Sequence, residues 1–570
     1  FATGGSTSSL GHDIQYLFNW DDGTNSGWLA VGTTQASHSW AAAGTYYVRA
    51  TARCATHTGI ESAWSETHII TISDGTTSSY YNSPAQYKVL PEVIWAPATG
   101  GGTWMSEVQV TDISGGSVVS VYYNTASGRR GPFVLWSNSG GALRSAKFAN
   151  LLQTIDGLDT EAFTYYGTVG AVEFITQDGS HVIQAAARTL NGNYSKTFTA
   201  VSLHDANTVN ASRGMVIANL TNNASYRSTC GFYNPTGDAV TLRLMLRDSS
   251  DGLIGSTITK TLAGHEFTAF SPFSEAGVPY PGTSSDNVAL MVEATAGTGS
   301  AFCFGASANN KSNDPAAHVA VQQGSAYDNG PGSLQVLPEA IWAPASGGGT
   351  WMSEAQIVDV TGGSQVSAYF DYGGGLRRGP IALWTGGAAG SKVKYANLLQ
   401  SIGAIDAGLD YYGRVGTVEF ATQDGTHVIM VTARTLNGNY SKTFPGLRVE
   451  EAETAEVGRA MLIQNYTNNA TYRSTCGFYN PTAESVTVEF TLLGGSGATI
   501  GSAFSKTFAG YDFQAFSPFN EAGAPYPGTS SDNVILRVQP TSGTGSVMCF
   551  GASANNKSND PASHLAVQAE

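Results

Sequence analysis

The stretch Val89-Leu90-Pro91-Glu92-Val93-Ile94-Trp95-Ala96-Pro97 returns as Val336-Leu337-Pro338-Glu339-Ala340-Ile341-Trp342-Ala343-Pro344. The run Arg188 to Ser195 returns as Arg434 to Ser441, Cys230 as Cys476 and Cys303 as Cys549, an offset held nearly constant at 246 residues. A constant offset across so long a unit marks one duplicated module, not a short solenoid repeat. The repeats run roughly 88–323 and 335–570. Strings of duplicated modules more often bind, space or build than catalyse.

At 570 residues the chain exceeds what one hydrophobic core supports. Charged residues make up 12%, about half the usual share. Val, Thr, Tyr and Phe are plentiful and strong helix formers scarce, which predicts an all-β protein. The formal charge of −15 argues against nucleic acid as a partner. No apolar run approaches the ~20 residues of a membrane helix. The chain starts at Phe1 and shows no signal-peptide h-region, and the expectation is an exported protein of the cell surface or extracellular space. The paired placement of Cys230 with Cys303 and of Cys476 with Cys549 predicts two equivalent disulfides, against the alternative of buried free thiols. Cys54 is left over, either buried or an intermolecular handle.

Before the repeats lie a polar extension, residues 1–12, and a β-domain over 13–75. Its landmarks are Tyr16-Leu17-Phe18-Asn19-Trp20-Asp21-Asp22-Gly23, Ser37-His38-Ser39-Trp40, the alternating strand Tyr46 to Ala52, and Ser62-Ala63-Trp64-Ser65 before His68-Ile69-Ile70-Thr71-Ile72. The order of these pieces resembles the PKD domain, and the resemblance implies an immunoglobulin-like sandwich acting as an extracellular spacer or adhesion module. Each long repeat divides into two β-sandwiches, 88–205 with 206–323 and 335–451 with 452–570, giving five β-domains in a row. A short helix is expected at Ala146–Ile155 and at its counterpart Val393–Ile402. The Trp-Ala-Pro opening and the closing Asn-Asn-Lys-Ser-Asn-Asp-Pro (Asn309 to Pro315, Asn555 to Pro561) resemble a tandem module of large exported bacterial proteins, a likeness that supplies no activity.

No nucleophile elbow, His-Glu-x-x-His, Cys-x-x-Cys or phosphate loop occurs, and no catalytic residue is expected. His181 and His427 each follow an Asp-Gly pair, which reads as a hairpin with the His opening the return strand. His318 and His564 follow Asp314 and Asp560 by four residues with a Pro between, which favours a turn over a metal pair. Glu92, Glu107, Glu339 and Glu354 recur beside strands, as glycosidase carboxylates or, more simply, as salt bridges at a sheet rim. Trp95 with Trp104, and Trp342 with Trp351, are either packed aromatics or a stacking platform for polysaccharide, with three glycines ahead of the second Trp allowing close approach. Asp21 and Asp22 are weak candidates for calcium; no other cofactor is expected.

The functional expectation is a structural protein: a subunit of a filament, surface array or adhesive stalk. A carbohydrate-binding adhesion protein is the alternative. Self-association into a polymer is expected, with Phe1 to Leu10 lodged as an added strand against a neighbouring subunit.

Overall fold

The computed structural model describes residues 3–20, 22–40, 44–65, 68–72, 85–98, 101–176, 181–192, 194–202, 208–322, 332–345, 348–438, 440–448 and 454–569. Strand makes up 56% and helix 5%, so the chain is all-β. It divides into two compact units, Phe1–Ser79 and Tyr80–Glu570.

In the first unit, Ile14–Asn19, Gly44–Cys54 and His68–Ile72 form an antiparallel sheet in that order. Strand alternation buries Tyr16, Phe18 and Trp20 from one strand and Val48, Ala50, Ala52 and Cys54 from the next. Leu29, Ala36 and Trp40 pack on this core. Thr3 N–H donates to Thr34 O at 2.9 Å and Ser6 N–H to the Tyr16 hydroxyl at 3.2 Å, so the N-terminal segment lies along its own unit. Leu10 stays 71% exposed, and Phe1 lies outside the described residues.

In the second unit, the first half of repeat 1 is one sheet running Tyr194–Thr199, Ile183–Asn191, Thr103–Asp112, Tyr87–Pro97, Thr168–Thr176, Val118–Thr125, Gly128–Ser137. Its core gathers Val89, Leu90, Val108, Val121, Val172 and Phe174 under the helix Leu151–Leu158. The helix begins later than the sequence suggests. Arg144–Phe148 pairs as a strand, and the Asn150 carboxamide then caps the helix by accepting the Gln153 N–H. Asn397 caps Leu398–Ile405 likewise. The second half of repeat 1 has two five-stranded sheets around Met215, Leu242, Leu290 and Phe232. In repeat 2, Pro561–Gln568 pairs with both Val547–Asn555 and Met461–Asn468, joining the two layers.

The repeats do not follow one another in a row. The halves of one repeat share apolar core: Tyr233, Phe267 and Phe304 join the first-half core of repeat 1, as Tyr479, Phe513 and Phe550 do in repeat 2. The repeats also share core crosswise. Ile113, Leu143 and Val182 meet Leu462, Ile535 and Val567, while Val216, Ala289 and Val321 meet Val358 and Met430. The four halves therefore close into a ring with approximate two-fold symmetry.

Two expectations are corrected by register. The segment carrying Asp424-Gly425 joins Arg414–Thr422 to Ile429–Asn437, which are not partners: the first pairs with Leu334–Pro344 and Gln365–Asp371, the second with Thr350–Asp359 and Tyr440–Pro445. It passes over two intervening strands of the same sheet and is not a hairpin. The first-repeat Asp178-Gly179-Ser180 lies outside the described residues. The disulfides are also absent. Cys230 faces Gly305 while Cys303 faces Phe232, and Cys476 faces Gly551 while Cys549 faces Phe478. That two-residue stagger makes each pair a diagonal one, with Cα atoms about 7–8 Å apart, too far for a bridge. All five cysteines are free and buried, and burial raises the thiol pKa of Cys230, Cys303, Cys476 and Cys549. Unfolding the unreduced chain should expose all five thiols to a thiol reagent. Cys230→Ala should cost about 1 kcal/mol in denaturant unfolding, well short of the 2–5 kcal/mol of a lost disulfide.

Candidate functional site: the polar seam between the repeats

The duplicated polar residues converge where the repeats meet. Strand Tyr194–Thr199 lies beside Pro561–Gln568, and Tyr440–Pro445 beside Pro315–Val319. Thr197 donates its hydroxyl to Ser563 O and Thr443 to Ala317 O, while Ser563 Oγ returns a bond to Thr443 O at 2.9 Å. The Tyr194 and Tyr440 rings stack at 5.9 Å. Beside them Ser195 Oγ donates to Asp560 Oδ2 at 3.1 Å and Ser441 Oγ to Asp314 Oδ2 at 3.0 Å.

Asp314 and Asp560 are fully buried, and their Oδ1 atoms receive no N–H or hydroxyl. The two carboxyls face each other, and two negative charges facing each other in a buried site favour a proton on one of them. Burial drives both pKa values up, Asp314 to about 7, against the pull of Ser441 and Arg434, and Asp560 further because Asp314 faces it. His318 and His564 donate to or accept from Ser307 and Ser553 at 2.7 and 2.8 Å, and burial pushes both imidazoles down to about 3, so they are neutral core groups.

Around this centre lie charge relays. Arg188 donates to Glu107 at 2.7 Å, Lys147 sits 3.1 Å from the same carboxylate, and Lys147 also bonds Asp532 of the other repeat. Arg434, Glu354, Lys394 and Asp286 repeat the pattern. Each guanidinium lies on a Tyr ring of the opposite repeat, Arg188 over Tyr472 at 4.0 Å and Arg434 over Tyr226 at 4.1 Å. Glu92 pairs with Lys196 at 2.6 Å and Glu339 with Lys442 at 2.8 Å. Each of the four glutamates is in a salt bridge, with Glu92, Glu107 and Glu354 buried and Glu339 half-buried. Asn219 and Asn465 take left-handed backbone at strand irregularities, which turns their N–H groups out of the ladder and onto the Gln356 and Gln109 side chains.

The tryptophans do not form platforms. Trp95 faces Met105 and Ala96 faces Trp104, so Trp95 and Trp104 project from opposite faces of the hairpin; Trp342 and Trp351 do the same. Trp95 packs edge-on against Tyr166 and Trp342 against Tyr412. Trp351 lines a cavity of about 160 Å³ with Glu339, Lys442 and Arg473. The glycines answer a different need: at Gly102, φ +84°, an added Cβ would lie 2.4 Å from Asn191 Oδ1, and Gly349 meets Asn437 in the same way.

Glu173 and Glu419 escape a motif search. Each is a buried acid in an apolar strand, bonded by Arg129 and Tyr233 or by Arg377 and Tyr479. Their signal is a charged residue inside Ala171-Val172-Glu173-Phe174 and again inside Thr417-Val418-Glu419-Phe420. Repeat 2 adds Asp371 beside Glu419, pushed up to about 7 by burial despite Arg377.

Surface candidates are self-contained. Asp22 is held down at about 2 by bonds from Thr24 and from His38, whose ring stacks on Trp20 at 4.8 Å. Asp21 lies outside the described residues, so the calcium pair cannot be assembled from them. His427 pairs with Asp424 at 2.7 Å, and the His181 carbonyl accepts from Thr176. Among the described residues one group converges closely enough to share a metal ion: His12, Cys54 and His57.

No protein-family model matches the chain, and no curated protein matches it. Among solved structures it is similar to a Streptomyces avermitilis α-L-rhamnosidase complexed with L-rhamnose at 10% identity and TM-score 0.13, covering 74% of this chain and 54% of that one. It is also similar to a biofilm associated protein BSP domain at 8% identity and TM-score 0.14, covering 87% and 98%. At those scores neither likeness bears on fold or activity.

The seam makes stability pH-dependent. Both aspartates titrate above the ordinary value near 3.9, so the stability they lend is complete below about pH 4 and is lost as pH rises through about 7. In Asp314→Asn an amide donates to Asp560 without a proton. Thermal unfolding of this variant should lose most of that slope and, at pH 8, gain on the order of 2 kcal/mol over the parent; an unchanged slope counts against the shared proton. Glu107→Ala strands the buried Arg188, and denaturant titration should show a loss of about 3–5 kcal/mol.

Proposed function

We propose that this chain is an exported, non-enzymatic structural protein, a subunit of an extracellular filament, surface array or adhesive stalk. The observation that supports this reading is the seam itself. Duplicated acids of the kind that could do chemistry, Glu92, Glu107, Glu354, Asp314 and Asp560, are buried, Glu339 is half-buried, and all are matched to cations or hydroxyls. Such an arrangement makes a stiff body from two weakly charged repeats, which suits a load-bearing subunit.

The sheet edges narrow how subunits would meet. Edge strands Gly128–Ser137 and Arg377–Thr385 carry Pro132 and Pro380, and edge strands Ile258–Leu262 and Phe504–Phe508 carry Lys260 and Lys506 at their centres. Proline and lysine on an edge oppose strand addition, so assembly in this reading joins side-chain faces and does not extend sheets. Light scattering after size exclusion, with electron microscopy of the native material, should show extended polymers. A monomer at every concentration up to the solubility limit would refute assembly, and turnover of a glycan or peptide that is lost on mutating Glu107 or His181 would refute the non-enzymatic reading.

A further inference from the structure

Outside the seam, the first unit places three metal-ligating atoms at one point. Cys54 ends the central strand, and its register partner Ile14 opens the neighbouring strand, so His12 lies just upstream of the same sheet end. His57 follows in the turn after Cys54. Cys54 Sγ lies 3.4 Å from His12 Nδ1 and 3.7 Å from His57 Nδ1, and the two imidazole centroids are 5.0 Å apart. All three ligand atoms lie within 4.8 Å of one another.

From this geometry we infer that His12, Cys54 and His57 form a zinc site of the N-terminal unit, with two imidazole nitrogens and one thiolate as ligands. Zinc bonds of about 2.3 Å to sulfur and about 2.0–2.1 Å to nitrogen, at the tetrahedral angle, set a sulfur-to-nitrogen edge of about 3.5–3.6 Å. The two observed separations bracket that edge.

The surroundings suit a thiolate. The His57 backbone N–H donates to Cys54 Sγ at 3.3 Å, the kind of outer bond that orients a metal ligand. The ligand loop is pinned before any ion enters: Cys54 N–H donates to Ile60 O, Ile60 N–H to His57 O and Ala55 N–H to Asp13 O. Cys54 is buried, His12 half-buried and His57 exposed, so the fourth tetrahedral position faces solvent and falls to water. One sulfur and two nitrogens exclude calcium and magnesium, which take oxygen, and suit a borderline ion such as zinc. This reading does not depend on assembly, and it gives the unrepeated cysteine a role the duplication cannot explain.

The test uses the full chain, freed of metal by chelation and titrated with zinc chloride against a competing chromophoric chelator. One zinc per chain is expected, with a sulfur-to-metal charge-transfer band when cobalt replaces it and protection of the Cys54 thiol from alkylation. His57→Ala, at an exposed position, and Cys54→Ser should each weaken binding by about 100-fold or more while circular dichroism stays unchanged; His427→Ala, which removes an exposed histidine elsewhere, should leave binding intact. Absence of stoichiometric zinc, affinity undiminished in His57→Ala, or preference for copper(I) over zinc would each overturn the assignment.

Discussion

Two carboxyl groups, those of Asp314 and Asp560, meet out of reach of water at the centre of the tandem repeat, and the surrounding structure answers the cost of holding them there. Two ionised carboxylates at that contact would repel strongly in a medium of low dielectric. A proton on either acid removes the repulsion, and the hydroxyls of Ser195 and Ser441 each donate to one carboxyl oxygen. Those serines come from the strands Tyr194–Thr199 and Tyr440–Pro445, each from the repeat opposite the acid it serves. The exchange is reciprocal, so neither repeat completes its own polar interior. Separating the repeats would bare both the acids and the apolar patches around Ile535 and Met430.

Perturbed titration is often a sign of an active site, but the perturbed groups here lie away from solvent. The raised aspartates and the lowered His318 and His564 are sealed inside, each in contact with a hydroxyl or another carboxyl. Buried ion pairs add little net stability against an apolar alternative, but removing one partner is severe. A seam built this way tolerates little rearrangement. The repeats have diverged within that frame: Asn124 of repeat 1 corresponds to Asp371 of repeat 2, where Arg377 offsets the added charge.

The amino-acid sequence by itself determined the duplication, the all-β class and the position of the unrepeated cysteine, because these follow from residue identity, β-propensity and period. It also marked the residues of the seam by repeating them. What they do was decided by tertiary structure. A two-residue stagger between adjacent strands turned two cysteine pairs from bridges into buried thiols, and one-residue alternation put Trp95 and Trp104 on opposite faces; neither register is written in the residues taken locally. Lys147 and Asp560 were visible as charged residues, but their partners Asp532 and Ser195 lie hundreds of residues away and meet them only because the four halves close into a ring. The same holds for His12, which reaches Cys54 through a strand pairing across the intervening chain. Composition and periodicity are local properties, whereas register and closure depend on which surfaces can be buried together.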